Sequence, residues 1–552
     1  MPGRVLFSPF LARSSSRSQD VVFHVDFDGE LLAVVGAGFG DDMVLRRAQA
    51  LPLHVLQQPT LVIPAEFAGC EFLHVLYEDL PDKTGDRFKP AVEVFNSHAS
   101  QGSVVRILTH NDADGVASGG IISRASMTAG AQFKTSVEKR LDAQILGEVA
   151  AEKPSLVVLT DFGSGYLDLV AKALPDIDTI ILDHHMPMGE PSPRVVQVNP
   201  LLHGIDGSRD IAASGVCYLF AKALDAKNVG LAPLGLVGAL GDQQDKGEKK
   251  SLKGVNTLIE EEATAAGLLS KDVDLIFYGH ETRPIARAIA NTTTPFIPGL
   301  SGREDSCVAF LDHIGIPLKT GDRMRSLSDL SDDEKRTLFS ALSSHMVAQG
   351  CDAKTVHNLI GTVYTFKKEE ATTPMRDGRE YSSLLNACAR MRRPSLGIGI
   401  CLGDRGEAMK EAEQTVDEYR RKIGGYLDWV SSGDRMKELN SIYVLSAGAD
   451  IDENIVGVVS SILLGQGILK STKPIVSAAN SDDGTVKISS RIAEGTAYMG
   501  IHLGKIMQEA AGGVNGAGGG HDNAAGAFIP QGTETEFMRR VDELVAKQWS
   551  GS

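Results

Sequence analysis

The stretch HNDADG (His110–Gly115) follows the apolar run Val104–Leu108, separated from it by Thr109 alone, and a helix-like run of small residues comes after it. An apolar run that ends in a histidine and two carboxylates predicts a buried strand with polar side chains at its carboxyl end. Oxygen ligands with one imidazole suit Mn²⁺ or Mg²⁺ better than a structural zinc. An acid-rich loop that stands alone is usually a solvated turn or a helix cap, so the metal interpretation needs support from other stretches.

Three further apolar runs follow along the chain. Ser155–Thr160 precedes Asp161, Thr179–Leu182 precedes the triplet Asp183–His185, and Val195–Val198 comes third. Segments of helix length separate these runs, which predicts parallel strands in an α/β sheet. Ligands bind beyond the carboxyl ends of the strands in such sheets. The acids and histidines are therefore predicted to meet at one edge.

Six side chains, five from these stretches and one from further along the chain, can together hold two divalent ions. They are His110, Asp112, Asp114, Asp161, His184 and Asp242. A carboxylate that bridges both ions would keep them about 3.5–4 Å apart, lower the pKa of a shared water and neutralise phosphate oxygens during in-line attack. Two alternatives remain open, because Asp161 also suits the N-cap of a helix after Gly163 and Asp242 also suits a surface position.

The first 95 residues contain strand-like runs but no pattern to which chemistry is assigned. A short glycine loop at 36–40 is read as a turn, residues 1–20 as a loose tail and residues 82–88 as a charged linker. The strand-like runs are Val21–Val25, Leu31–Val35 and Leu61–Pro64.

The second half of the chain has three parts that differ in composition and sequence pattern. Residues 320–395 are polar and helix-prone, and apolar residues at helical spacing from Met409 to Tyr426 predict an amphipathic helix. A second α/β unit begins at about Asp434, with Thr485–Arg491 alternating as a strand does. The glycine-rich stretch Gly512–His521 is predicted to bind phosphate between a strand and a helix, and a flexible loop is the alternative.

Composition restricts the classes of protein. No apolar run is long enough for a membrane span, and six scattered cysteines without a C-x-x-C pair favour a reducing compartment, by default the cytoplasm. Sequence-independent nucleic-acid binding normally needs a basic face, yet the net charge is −16. Either a local basic groove lies on an acidic body, or metal ions supply the positive charge.

The motifs together resemble one family. HNDADG, TDFGSG, LDHH and ALGDQQD, in this order, resemble motifs one to four of the DHH phosphoesterase superfamily. SSR (Ser489–Arg491) and GGGHDNAAGAF (Gly518–Phe528) resemble the DHH-associated C-terminal domain. His110 stands where bacterial RecJ usually has Asp. Together with PFIPGLSGRED (Pro295–Asp305) and MRDGREYSSLLNACAR (Met375–Arg390), it resembles the archaeal RecJ-like nucleases.

The resemblance implies a two-lobed α/β fold and a division of the chain into four parts. These are an N-terminal extension (1–95), a DHH catalytic domain with a parallel sheet (96–320), a helical insertion and connector (321–433), and a smaller α/β DHH-associated substrate-binding domain (434–552). The extension is outside the resemblance. An accessory fold, an oligomerisation element and a partner-binding module remain open for it.

The resemblance also implies a role for each site residue. His110, Asp112 and Asp161 would bind one metal, and Asp161 would bridge to a second metal. Asp183 would orient His184, and His185 would contact the scissile phosphate. The second metal would be held by Asp114, Asp161, His184 and Asp242, and substrate phosphate by Arg491, Gly518, Gly519, Gly520 and His521.

The function that the resemblance implies is exonucleolytic hydrolysis of single-stranded DNA or RNA in replication or repair, with two Mn²⁺ ions or, as the alternative, Mg²⁺. One alternative is a phosphodiesterase for short oligoribonucleotides or cyclic dinucleotides. Another is a factor that binds a replication complex through a GINS-like partner. Because every ligand position is filled, loss of catalysis is not expected.

Overall fold

The computed structural model divides the chain into two compact units, Met1–Arg87 and Phe88–Ser552. Among the first 86 residues only four strands are described; beyond them the description omits residues 294, 372, 466–468, 470–471, 494–499 and 551–552. The predicted tail at 1–20, the glycine loop at 36–40 and residues 82–86 of the predicted linker lie outside the described residues.

The first unit contains a small antiparallel sheet. Its strands are β1 (Val21–Val25), β2 (Leu31–Val35), β3 (Leu45–Arg47) and β4 (Leu61–Ile63). They are arranged in the order β3-β2-β1-β4. The runs predicted as strand-like from their valines and leucines are β1, β2 and β4, whereas β3 was not predicted.

The second unit begins with a five-stranded parallel sheet in the order β6-β5-β7-β8-β9. The strands are β5 (Val104–His110), β6 (Gln132–Glu138), β7 (Leu156–Thr160), β8 (Asp178–Leu182) and β9 (Val195–Val198). The central strand β7 is buried along its whole length, which explains its continuous apolar sequence LVVLT. The predicted parallel sheet is thus confirmed; β6 was missed because this edge strand mixes polar and apolar residues.

Helices cover this sheet on both faces. The sheet and these helices form the parallel-sheet domain. They are α1 (87–100), α2 (Ala113–Thr128), α3 (Ala143–Glu152), α4 (Leu167–Ala173), α5 (Ala213–Leu224), α6 (Ala232–Gly241) and α7 (Val255–Ala265). One apolar cluster packs α1, α2, α5 and α6 against β5 and β7, and a second packs α3 and α4 on the opposite face.

A segment with its own apolar core follows. Its elements are β10 (Leu269–Leu275), α8 (Ile285–Asn291), α9 (Glu304–His313), β11 (Lys319–Thr320), β12 (Arg323–Met324), α10 (Asp332–Ala348), α11 (Ala353–His357) and β13 (Ile360–Phe366). β10 pairs antiparallel with β13 and closes the segment, whose core includes Leu275, Leu338 and Leu359. The strand β13 lies within the stretch predicted as helix-prone. The sequence did not predict it as a strand, because its pairing partner is far away in the chain.

Three helices lead to the C-terminal domain: α12 (Gly378–Arg390), α13 (Pro394–Cys401) and α14 (Glu407–Ser431). The amphipathic helix predicted over Met409 to Tyr426 lies inside α14. Small residues allow α13 to pack closely on α2, since a Cβ added at Gly120 would lie 2.3 Å from Cβ of Cys401.

The C-terminal domain, from Met436 onward, is a six-stranded mixed sheet in the order β14-β15-β16-β17-β19-β18. Its strands are β14 (Met436–Glu438), β15 (Tyr443–Gly448), β16 (Ile475–Asn480), β17 (Thr485–Arg491), β18 (Ala517–Gly520) and β19 (Ala524–Pro530). Its helices are α15 (Val456–Gly465), α16 (Leu503–Gly512) and α17 (Glu534–Ser550). The α/β, two-lobed fold expected from the sequence is confirmed.

Ion pairs join the two domains, with bases on one side and acids on the other. Arg140 of the parallel-sheet domain donates to Asp483 at 2.8 Å, and Lys139 pairs with Glu453. Arg140 also lies over the ring of Phe528, 4.8 Å from its centroid. Within the described part of the chain, no helix is long and apolar enough to cross a membrane.

Candidate metal centre

Asp161 lies at the centre of the site, immediately after β7. Its φ is +62°, an uncommon backbone conformation for a residue other than glycine. Its side chain is 2% exposed, yet neither carboxylate oxygen has a hydrogen-bond partner among the described residues. The alternative in which Asp161 caps the next helix is wrong, because Asp183 accepts the backbone N–H of Ser164 there instead.

One group of ligating atoms surrounds Asp161 on the β5 side. Nδ1 of His110 lies 2.9 Å from Oδ2 of Asp112 and 3.4 Å from Oδ2 of Asp161. Asp112 also caps α2, since its Oδ1 accepts the N–H of Gly115 at 3.0 Å. The cap and the predicted ligand are therefore the same residue, with one oxygen available for each role.

A second group lies on the other side of Asp161 and consists of Asp114, His184 and Asp242. Asp114 is in the first turn of α2, and its two oxygens accept the N–H groups of Ala213 and Ser214 at 2.8 and 2.9 Å. Helix α6 passes so close that a Cβ at Gly238 would lie 2.1 Å from Oδ1 of Asp114. The small residues of α6 thus make room for the carboxylate, and Asp242 lies at the C-cap of this helix.

The orientation of His184 favours a cation at this position. Its Nδ1 lies 2.5 Å from the carbonyl oxygen of Gly207, so Nδ1 donates and Nε2 carries the lone pair of the neutral ring. Nε2 then faces carboxylate oxygens, at 3.3 Å from Asp161 and 3.5 Å from Asp242. A lone pair directed at carboxylates is repelled unless a proton or a metal ion lies between them. Metal-bound histidines commonly donate their other N–H to a backbone carbonyl in this way.

The pKa values reflect the crowding of acids. Burial and the neighbouring Asp161 raise the pKa of Asp114 to about 7. Burial and Asp114 raise the pKa of Asp242 well above its ordinary value. Burial lowers the pKa of His184, but Asp161, Asp242 and Asp114 outweigh it and hold the pKa well above the ordinary value. Without added cations, protons must therefore offset part of the negative charge.

Asp183 orients His185, which corrects the expectation that it orients His184. Nδ1 of His185 lies 2.9 Å from Oδ1 of Asp183, and the backbone N–H groups of His184 and His185 donate to the same oxygen. Burial raises the pKa of Asp183, but His185 and the other donors outweigh it and lower the pKa well below its ordinary value. The ionised Asp183 accepts from Nδ1, which leaves Nε2 of His185 for another partner.

His521 of the C-terminal domain lies against the predicted metal ligands. Its ring is stacked on that of His185 with centroids 5.3 Å apart, and it lies 5.8 Å from the ring of His184. Burial and the two nearby histidines lower the pKa of His521 to about 3. The ring is therefore neutral at physiological pH and can offer a hydrogen bond.

The glycines before His521 differ from expectation. They follow helix α16, and Gly518, Gly519 and Gly520 belong to the edge strand β18, which pairs with β19. The predicted position between a strand and a helix is wrong. A side chain is excluded at Gly518, because its Cβ would lie 2.6 Å from the carbonyl oxygen of Met507, as α16 packs on the strand.

Arg491 belongs to a group of cations of which two members, Arg390 and Lys487, were not predicted. Burial, Arg390 and Arg491 lower the pKa of Lys487 to about 8, and burial and Arg390 lower that of Arg491 to about 10. Lys487 and Arg491 share one face of β17, four residues apart, which the alternation of the strand could have revealed. Arg390 reaches this group from the end of α12 and carried no comparable signal.

The donor set fits the two divalent ions expected from the sequence. The ligating atoms fall into His110, Asp112 and Asp161 on one side and Asp114, His184 and Asp242 on the other, with Asp161 in reach of both. Oxygen-rich ligands with one imidazole in each group suit Mn²⁺ or Mg²⁺. The buried oxygens of Asp161 are the atoms that most require such partners, because unpaired buried charge is costly.

Three family models match separate parts of the chain. The DHH family N-terminal domain matches residues 104–238, the DHH-CID domain matches 277–360 and the DHHA1 domain matches 440–547. An uncharacterized protein of Methanocaldococcus jannaschii is 32% identical over 452 residues, which covers 80% of this chain and 94% of that protein.

Solved structures with similar folds cover most of this chain. CDC45 from Entamoeba histolytica superimposes with a TM-score of 0.59 and 12% identity, over 84% of this chain and 99% of that one. RecJ from Thermus thermophilus in complex with Mn²⁺ gives a TM-score of 0.51 and 18% identity, over 84% of this chain and 55% of that one. This chain thus matches little more than half the length of that RecJ. Together, the motifs, domains and fold show that the chain belongs to the DHH superfamily of phosphoesterases and is RecJ-like.

Proposed function

We propose that this chain is a metal-dependent exonuclease that hydrolyses single-stranded DNA or RNA from an end, in replication or repair. The proposal depends on one observation. Buried carboxylate oxygens that lack a partner in the described part of the chain lie next to side chains that suit a phosphate. The buried oxygens of Asp161 have no hydrogen-bond partner among the described residues. His521 from the C-terminal domain stacks on His185 next to them, and Arg390 at the end of α12 helps to lower the pKa of Asp112. Divalent ions would supply partners for the Asp161 oxygens, and a phosphodiester would supply a partner for the side chains that suit a phosphate.

Each part of the site then has a chemical role. Two ions held by the acidic cluster would lower the pKa of a water between them and neutralise charge on the phosphate oxygens. His185, fixed through Nδ1 by Asp183, offers Nε2 to the scissile phosphate. Arg491 and His521 hold substrate phosphate from the C-terminal domain. Mn²⁺ is the proposed ion and Mg²⁺ the second choice, and the cytoplasm is the proposed location.

The closeness of the two domains supports a single strand as substrate. Arg140 bridges to Asp483, and His521 stacks on His185, so the two domains meet directly beside the cluster. A strand that passes between them must be narrow, whereas a duplex presents two backbones with paired bases between them. A free end can enter such a site, which supports exonucleolytic cleavage.

The test is a polarity assay with long single strands of DNA and RNA, each labelled at one end or the other, in Mn²⁺ and in Mg²⁺. Stepwise release of mononucleotides from one end is expected, and duplex should remain intact. Activity confined to dinucleotides or short oligomers would replace the exonuclease by a small-substrate phosphodiesterase. No hydrolysis with either ion would overturn the proposal.

A second function, binding to a replication complex, is supported by the fold shared with CDC45. The partner proposed from the sequence is GINS-like. Because the segment from β10 to β13 has its own core, it can present a surface independently of the metal cluster. Co-purification of the full chain with replication proteins, unaffected by substitutions in the cluster, is the expected result.

A further inference from the structure

Three large apolar side chains are exposed beside the acidic cluster. Tyr166 is 42% exposed, Met186 68% and Met188 48%. Single exposed apolar residues are common on protein surfaces, but several on neighbouring segments usually mark a contact surface. These three come from two segments that flank His185, namely the turn after β7 and the turn after β8.

Hydrogen bonds fix the two segments to each other. The N–H of Met188 donates to the carbonyl of Ser164 at 2.8 Å, and the N–H of Leu167 donates to the carbonyl of Met188 at 3.2 Å. Asn199 bridges them as well, since its Nδ2 donates to Oγ of Ser164 and to the carbonyl of His185. The exposed side chains therefore stand on a fixed framework and not on independent loops.

The framework is continuous with the predicted catalytic residues and with the other domain. The N–H of Ser164 donates to Asp183, the carboxylate that holds His185. Nε2 of Gln508, on α16 of the C-terminal domain, lies 3.8 Å from Sδ of Met188. The apolar side chains thus lie at the junction of the domains, where a strand with its phosphate at His185 would leave the cluster.

We propose that Tyr166, Met186 and Met188 form a base-stacking platform for the unpaired bases next to the scissile phosphate. This inference rests on the proposed function and deepens it, because it makes unstacked bases part of what the site recognises. Aromatic rings stack on any base without sequence preference, and the methionine thioether makes favourable contacts with aromatic rings. Paired bases are covered on both faces and cannot use such a surface.

The test measures binding of a labelled single strand of deoxyadenosines and of an abasic strand of equal length, in Ca²⁺, with the strand shown to stay intact. Tyr166→Ala and Met186→Ala should each weaken binding of the normal strand about fivefold to tenfold. Tyr166→Phe should restore it, because the ring is kept. Neither alanine variant should weaken binding of the abasic strand. Met127→Ala, at a methionine that is 57% exposed at the far end of α2, is the control.

The outcomes separate the platform from the proposed function. Equal affinity of wild type and both alanine variants for the normal strand would overturn the platform while leaving the exonuclease intact. If the variants lose self-association while their strand affinity is unchanged, the surface binds a second copy of the chain. That result would also overturn the platform. If wild type neither binds nor shortens single strands, the proposed function fails and the platform fails with it.

Discussion

The acidic cluster of the parallel-sheet domain and the cationic face of the C-terminal domain are opposites. The first gathers Asp112, Asp114, Asp161 and Asp242 around two histidines. The second has Lys487 and Arg491 on β17, with Arg390 from the end of α12 beside them. Burial and neighbouring positive charge lower the pKa values of Lys487 and Arg491. Like charges that are held together and partly buried are unfavourable without counterions. The difference teaches that the two charge groups suit ligands of opposite sign, which agrees with the proposed cations on one side and the proposed substrate phosphate on the other.

The largest expected effect comes from the acidic side. Asp161→Asn keeps the shape of the side chain but removes the charge that both ligand groups share. Hydrolysis of single strands should fall by more than about 1000-fold, since both proposed ions would depend on this residue. In metal-free protein the same change should raise the melting temperature by a few degrees, because it removes one of several buried carboxylates that repel one another, as the raised pKa values of Asp114 and Asp242 indicate.

The control is Asp176→Asn, at an exposed acid of the same domain, which should change neither quantity. Steady-state hydrolysis and thermal unfolding with and without Mn²⁺ measure both effects. Residual hydrolysis above a tenth of the wild-type rate would contradict the bridging role. A lower melting temperature of the metal-free variant would contradict the electrostatic argument.

A smaller effect is expected on the cationic side, where binding and not chemistry should suffer. Arg491→Ala would remove the proposed charge-assisted hydrogen bonds to substrate phosphate, so KM should rise roughly tenfold to hundredfold. Arg491→Lys should recover part of the loss, since it keeps the charge but not the planar fork. Arg539→Ala, at an exposed arginine paired only within α17, is the control. A large fall in kcat at unchanged KM would move Arg491 to the chemical step.

The smallest effect concerns pH. Burial and the adjacent arginines lower the pKa of Lys487 to about 8. The side chain therefore loses its proton and its positive charge as pH rises through that value. Because the charged form attracts phosphate, strand affinity in Ca²⁺ should fall about threefold to tenfold from about pH 7 to pH 9. Lys487→Arg stays charged and should flatten the profile. An equally steep profile in this variant would assign the pH dependence to another group.

Parts of the site were predictable because strand and motif patterns are local. Apolar runs followed by acids placed Asp161 and His184 at strand ends, and the two turns lie at one edge because the strands are parallel. Partners supplied by distant backbone were not predictable. Asp183 was expected to orient His184, but the carbonyl of Gly207 does so and leaves Asp183 to His185. Likewise β13 pairs with β10 across a long stretch of chain that no local pattern reveals.

The sequence by itself determined the order of the motifs, the parallel sheet that carries them and the residue types that suit divalent ions, because periodicity and side-chain chemistry are written in short stretches. Only the tertiary structure decided that Arg390 joins Lys487 and Arg491, that His521 stacks on His185, and that the glycines before it form an edge strand. These contacts join residues far apart in the chain, and packing of one domain on another sets them.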